Sequence, residues 1–221
     1  MNVSPLTIRR LRNFRANKRG YYSALIFSVL FLISIFAEFI ANDKPIFVVF
    51  DSQIHFPVFE KISETYYGGE FETEADYKDP FVRDLIDKKG FSVMPLIEYS
   101  YDTINYDLKV PSPSPPTFEN LLGTDDQGRD VLARLIYGFR ISVFFGLTLT
   151  ILSSIIGIFA GGIQGFYGGK IDLFGQRFIE IWSGLPVLYL LIIISSFIEP
   201  SFWILLFLSL IHISEPTRPI R

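Results

Sequence analysis

Cysteine is absent from the 221-residue chain, and so are several common catalytic signatures. Without cysteine, the chain can form neither a disulfide nor a thiolate zinc site. It has no GK[ST] glycine loop, no HExxH and no GxSxG, so the parts for ATP hydrolysis, zinc hydrolysis and acyl transfer are missing. Asp125, Asp126 and Asp130 do not have the spacing of a calcium loop. We therefore expect no catalytic residue, no metal site and no cofactor, and hence no enzyme activity in this chain by itself.

Charged residues are absent from three apolar runs, 20–37, 141–169 and 181–198. Because a helix rises about 1.5 Å per residue, runs of this length with their flanks span a hydrocarbon core of about 30 Å. One such run could be the core helix of a large soluble protein. Three of them predict an all-α integral membrane protein with several spans.

Acidic residues are absent from the first 20 positions, which carry six basic side chains: Arg9, Arg10, Arg12, Arg15, Lys18 and Arg19. The positive-inside rule therefore places the N-terminus in the cytoplasm. A cleaved signal peptide is the alternative, but the run is longer than a typical h-region and no small-residue cleavage site follows it. Residues 43–130 hold 18 acidic and 8 basic residues, a net charge of −10, and we expect them outside the cytoplasm.

The expected organisation follows from these runs. A basic cytoplasmic N-terminus at 1–19 precedes a first transmembrane helix at 20–41 and a periplasmic insert at 42–121, small α+β or irregular in fold. An amphipathic interface helix follows at 122–139. The membrane domain then begins at 140–207, with helices at about 141–166 and 173–198 and a partial one at 202–207.

The acidic insert contains two local signals. Strand-forming residues flank Asp51, Ser52 and Gln53 and predict a hairpin, while Asp79 and Pro80 predict the cap and first turn of a helix over 80–89. Tyr66 to Gly69 predicts a turn. The carboxylates and aromatics of the insert are consistent with binding of a cationic peptide, but an acidic segment is more often merely solvated.

The stretch LLGTDDQGRDVLARLIYGFRIS at 121–142 predicts the start of a capped helix. Thr124 and Gln127 have capping-box spacing, and Asp125 and Asp126 would favour the positive end of the helix dipole. Asp130 and Arg134 are four residues apart, as in a helical ion pair. An ordinary capped surface helix is the competing interpretation.

Small residues recur every four positions in the second apolar run, at Ser153, Gly157, Gly161, Gly165 and Gly169. Such a stripe lets a neighbouring helix approach closely in lipid. Further on, we expect Asp172 to cap the third helix, Arg177 to lie in the cytoplasmic loop and Gly184 with Pro186 to kink the span.

Several separated motifs resemble the second permease subunit of bacterial dipeptide and oligopeptide ABC importers. The first comprises Gly123, Thr124, Asp125, Gly128, Arg129, Asp130, Gly138, Arg140 and Ser142; the second comprises Gly165, Gly168, Gly169, Asp172 and Arg177, followed by Leu185 and Pro186. The insert, with Asp79-Pro80 and the run 99–107, resembles the microcin C branch, the YejE-like permeases. The resemblance covers roughly residues 8 to 207.

This resemblance implies a multi-pass subunit of the bacterial inner membrane that lines a peptide path. Its implied partners are a second permease subunit, cytoplasmic ATPase subunits, a periplasmic peptide-binding protein and the lipid bilayer, with no nucleic acid. A membrane-anchored receptor or sensor with an extracytoplasmic ligand segment is the alternative. Residues from Leu208 to Arg218 resemble a translated sequencing-library adapter, so we expect 208–221 to be non-native and the ATPase-coupling loop to be missing.

Overall fold

A computed structural model of the chain describes residues 4–184, 186–199 and 201–213. The chain divides into two compact units after Arg140. Most of the described residues are helical, and one three-stranded sheet lies in the first unit.

The first unit begins with three helices, α1 (Pro5–Ala16), α2 (Lys18–Ile35) and α3 (Ala37–Ile40). The side chain of Asn17 accepts the amide of Gly20 at 3.3 Å and caps α2. The predicted first span at 20–41 is thus α2 followed by the single turn α3, with an interruption at Phe36.

The insert contains a small antiparallel sheet in the order β2-β1-β3, made of β1 (Phe47–Phe50), β2 (Gln53–His55) and β3 (Gly90–Val93). The predicted hairpin is confirmed, with Val49 opposite Ile54. Asp51 and Ser52 have φ of 47° and 66°, the positive values that a two-residue type I′ turn requires. Strand β3, which pairs with the other edge of β1, was not predicted from the sequence.

Two helices pack with this sheet, α4 (Glu64–Tyr67) and α5 (Pro80–Lys89). The predicted cap of α5 is confirmed, because the Asp79 carboxylate accepts the amide of Phe81 at 2.9 Å. The expected turn at 66–69 is in part α4, which ends at Gly68 with φ 97°. The core of the insert consists of Val48, Phe50, Tyr67, Ala75, Tyr77, Val82 and Ile86.

A long helix, α6 (Val131–Tyr167), starts in the first unit and continues into the second. It replaces the two helices expected at 122–139 and 141–166, because Gly138 and Arg140 at their boundary both lie within the helix and do not end it. The second unit also contains α7 (Gly169–Ser183), α8 (Val187–Ser195) and α9 (Phe202–Ile213).

Of the described helices, α2 and α6 are long and apolar enough to cross a membrane. The third expected span is not one helix, because Gly184 and Pro186 separate α7 from α8. The 15 residues of α7 rise only about 22 Å, short of a hydrocarbon core of about 30 Å. Helix α9 continues to Ile213, past the expected end at 207, whereas Leu185 and residues 214–221 lie outside the described residues.

Candidate functional site

The first six residues of the first motif, from Gly123 to Asp130, lie in a folded loop at 121–130 and not in a helix. The predicted capping box is wrong: Thr124 Oγ1 accepts the amide of Ser114 at 3.0 Å, and the amide of Gln127 donates to Asp125 at 2.9 Å. Gly123 and Gly128 have φ of 75° and 81°. Because a right-handed helix cannot continue through left-handed residues, α6 begins only after them, at Val131.

Asp130 caps α6. Its buried carboxylate accepts the amide of Ala133 at 2.7 Å, which is the N-cap bond to the third residue of the helix. Its second oxygen accepts a hydrogen bond from the side-chain NH₂ group of Asn120 at 2.9 Å. The side-chain oxygen of Asn120 in turn accepts a hydrogen bond from the side-chain NH₂ group of Asn105 at 3.1 Å. The predicted pair between Asp130 and Arg134 is therefore wrong, because both oxygens of Asp130 bind buried amides.

Asp125 is bound by two arginines. One carboxylate oxygen accepts hydrogen bonds from the backbone amides of Gln127 and Arg129, each at 2.9 Å. The other oxygen accepts a hydrogen bond from Nε of Arg129 at 2.9 Å and forms an ion pair with Arg134. Burial alone would raise the pKa of this carboxyl. The hydrogen bonds from the Arg129 and Gln127 amides and the two guanidinium groups outweigh burial and hold its pKa below the usual range.

Gly123 and Gly128, the two motif glycines of the loop, lie where a side chain would crowd neighbouring atoms. A Cβ at Gly123 would lie 2.4 Å from the Ser114 carbonyl oxygen, and one at Gly128 would lie 3.2 Å from Ser112 Oγ. The Gly123 carbonyl accepts the amide of Val131 at 3.1 Å, which joins the loop to the first residue of α6. The loop motif thus builds a rigid platform on which a long apolar helix starts.

A second set of contacts joins the start of α6 to the end of the first span. One Arg140 guanidinium nitrogen donates to both carboxylate oxygens of Glu38, at 2.7 and 2.8 Å. The Tyr137 hydroxyl donates to the Ala41 carbonyl at 2.9 Å. The buried cluster beneath these contacts consists of Ala37, Ala41, Ile97, Tyr99, Ala133 and Tyr137.

The role of Glu38 was not predicted from the sequence. Its partner lies 102 residues away in the chain, so no pattern of neighbouring residues predicts the pair. The available signal was that Glu38 ends one charge-free run and Arg140 precedes another.

The other motif residues have less contact within the chain. Gly138 and Ser142 are exposed, and among the described residues no atom outside the adjacent backbone of α6 comes within 4 Å of a Cβ built at Gly138. Gly168 and Gly169 have φ of 57° and 54° and form the link between α6 and α7, so Gly169 does not continue the small-residue stripe. Asp172 lies in the first turn of α7, and Pro186 directly precedes α8.

Arg177 differs from its expected position. It lies within α7, where it donates to Glu180 at 2.6 Å, and not in a loop, because α7 already begins at Gly169.

Two grooves open on the insert. The first, of about 620 Å³, is lined by Asp43, Glu74, Asp76, Asp79, Asp102 and Asp107 together with Lys44 and Lys78. The second, of about 790 Å³, shares Lys78 and Asp107 and adds the exposed side chains of Leu96 and Phe118. Across the described part of the chain, no group of three or more His, Asp or Glu side chains could hold a metal ion.

No family model matches the chain. It is 49% identical over 204 residues to the Inner membrane ABC transporter permease protein YejE of Escherichia coli, covering 92% of this chain and 60% of that protein. It is 48% identical over 227 residues to the Peptidoglycan transport system permease protein YejE of Agrobacterium fabrum, covering 92% of this chain and 59% of that protein. A shorter match, 51% identical over 81 residues, joins it to the Dipeptide transport system permease protein DppC of Haemophilus influenzae, covering 37% of this chain and 28% of that protein. The chain thus spans about 60% of the length of the first two relatives.

Proposed function

The chain is a YejE-like member of the peptide ABC transporter permeases, and we propose that it contributes membrane-spanning helices to an ATP-driven peptide importer. The observation that carries the proposal is the loop at 121–130, where each residue of the Gly-Thr-Asp and Gly-Arg-Asp motif has a defined part in starting α6. Under this proposal the motif has a structural role, because its residues fix the start of a membrane helix.

Under this proposal, ATP is hydrolysed by separate cytoplasmic subunits, because the chain lacks a nucleotide-binding loop. The N-terminus is cytoplasmic, and the acidic insert lies on the opposite side of the membrane. There the insert provides the surface for a soluble peptide-binding protein.

A second permease subunit packs along the small-residue side of α6. Among the described atoms, none outside α6 comes within 4 Å of a Cβ built at Gly157, Gly161 or Gly165. The stripe with Ser153 is therefore open to a close-packed partner helix, which is how helices associate in lipid.

The proposed cargo is a short peptide or a peptide conjugate, in the range from peptidoglycan fragments to microcin C-type molecules. Two observations support this range. Two of the relatives are named for peptidoglycan and dipeptide transport, and the insert resembles the microcin C branch.

A chimera tests the proposal. Residues 8–207 would replace the matching region of the Escherichia coli relative, which supplies the remaining length, in cells lacking that permease. We expect restored sensitivity to a microcin C-type peptide and restored uptake of a labelled peptide, both lost when the partner ATPase is inactivated. A chimera that reaches the membrane in normal amounts but restores neither would contradict the proposal.

A further inference from the structure

Glu38 and Arg140 occupy equivalent positions at the ends of two apolar segments. Glu38 is the first charged residue after the run 20–37, and Arg140 is the last one before the run 141–169. Charged side chains at such positions lie at the membrane boundary, because the hydrocarbon core excludes them. An ion pair between the two therefore joins α3 to the third turn of α6, both within the first unit.

The geometry around the pair is specific. The Arg140 guanidinium lies 5.1 Å from the centre of the Tyr137 ring, one turn earlier on α6. Tyr137 binds the Ala41 carbonyl, one turn beyond Glu38. Two bonds of different chemistry thus cross the same junction, and both depend on one register between the two segments.

The apolar floor of the junction leaves no space for sliding. Ala37, Ala41 and Ala133 have no exposed surface. Ile97 of the insert is hydrogen-bonded to the backbone on both sides of Ala41. The Asn42 amide donates to the Ile97 carbonyl at 3.0 Å, and the Ile97 amide donates to the Ile40 carbonyl at 2.9 Å. A helical shift of one turn, about 5.4 Å, would move side chains larger than alanine into this floor.

We infer that Glu38 and Arg140 form an interhelical latch that fixes the register of the first three turns of α6 against the end of the first span, with Glu38 as the positioning residue for these turns. The inference goes beyond the proposed function, since it concerns the internal register of the chain and not its cargo or partners. The side chains are partly covered, Glu38 being 36% and Arg140 23% exposed, so water weakens the pair without removing it.

Cysteine crosslinking tests the latch, since the chain has no cysteine of its own. Ala37→Cys with Ala133→Cys joins two members of one buried cluster. The control pair, Ala37→Cys with Leu135→Cys, uses an α6 side chain that is 58% exposed and lies outside the cluster. In membranes of expressing cells, we expect oxidation to crosslink the first pair and not the control pair.

The latch is then altered in the crosslinking background. We expect Glu38→Gln to slow crosslinking by about twofold to fivefold, the range for a partly exposed ion pair. The charge-swapped variant, Glu38→Arg with Arg140→Glu, should restore the rate to within about twofold of the original, a rescue that simple loss of packing would not show. The matched control, Asp84→Asn, removes a carboxylate whose Lys88 partner is on the exposed surface of α5, and it should leave the rate unchanged.

The inference is overturned if Glu38→Gln crosslinks as fast as Asp84→Asn, or if the swap is no faster than Glu38→Gln. If Glu38→Gln does not accumulate in the membrane, the amount of the charge-swapped variant in the membrane is measured instead. Accumulation of the swapped variant supports the latch, and its failure to accumulate contradicts it. Crosslinking needs no transport, so this outcome is independent of the chimera experiment.

Discussion

Asp130 and Asn120 form a buried hydrogen bond of 2.9 Å beneath the first turn of α6. Asn120 is 1% exposed and Asp130 is fully covered, so neither side chain can exchange its partner for water. The start of the long helix therefore depends on a polar contact between side chains ten residues apart.

Removal of this carboxylate should be costly. Asp130→Ala loses the cap of α6 and leaves the Asn120 amide without its acceptor, and we expect a loss of about 2 to 4 kcal/mol in the free energy of unfolding. The thermal midpoint of the detergent-purified chain measures the effect. Asp126→Ala, at an exposed position of the same loop, should change the midpoint little; equal shifts would remove the special role of Asp130.

The loop should lose stability in acid through Asp125. Its pKa is lowered in the folded state, so its carboxylate stabilises the fold above the unfolded value of about 3.9, and this contribution is lost as the pH falls through the folded pKa. Stability should therefore fall below about pH 4 in the original chain. Asp125→Asn should be less stable at neutral pH and show a smaller decrease in acid; parallel pH profiles would contradict the assignment.

Gly123 should not tolerate a side chain. Gly123→Ala places a methyl group against the Ser114 carbonyl oxygen at a φ of 75°, and we expect a loss of about 1 to 3 kcal/mol. Gly138→Ala is the matched control, since it adds a Cβ in open space on α6 and improves helix propensity. Thermal midpoints for both variants test the steric argument, which fails if Gly123→Ala is as stable as the original.

The proposed topology can be measured with introduced cysteines. Asn17→Cys and Glu72→Cys each place a single thiol at an exposed position, one before α2 and one in the insert. An impermeant thiol reagent added to cells with a permeabilised outer membrane should label position 72 and not 17. Labelling at 17 alone would reverse the orientation.

The small-residue side of α6 should matter only in the assembled transporter. A Cβ added at Gly161 meets no atom outside α6 within 4 Å in the described chain, so we expect the chain with Gly161→Leu to accumulate normally by itself. In the chimera with its partner permease, the added side chain would separate close-packed helices, at a cost of about 1 to 3 kcal/mol, and should reduce co-purification. Ile158→Leu, at a position that is 74% exposed, should co-purify normally; the same loss in both variants would argue against packing.

Local signals in the sequence predicted local structure well. The hairpin at Asp51 and Ser52 and the cap of α5 by Asp79 depend on residues no more than a few positions apart, and both are confirmed. The interruption near Pro186 also follows from the missing amide of one residue.

Contacts between distant residues were not predictable in this way. Thr124 and Gln127 fit a capping box by spacing, but the bond from Ser114 to Thr124 and two left-handed glycines prevent a helix there. The strand β3 pairs with β1 across about forty residues of chain. Glu38 and Arg140 each border a charge-free run, but this does not identify them as partners of one another. The sequence therefore predicted the motif of the candidate site and not its geometry.

The cap of α6 has a consequence for the order of events during synthesis. Asn105, Asn120 and Gly123 all precede Val131 in the chain. The groups that hydrogen-bond to the start of α6 are therefore synthesised before the helix itself. These contacts span at most a few tens of residues and close quickly. The loop can thus be assembled while the apolar part of α6 is still being made, whereas the Glu38 and Arg140 pair has to bring together residues that are 102 positions apart.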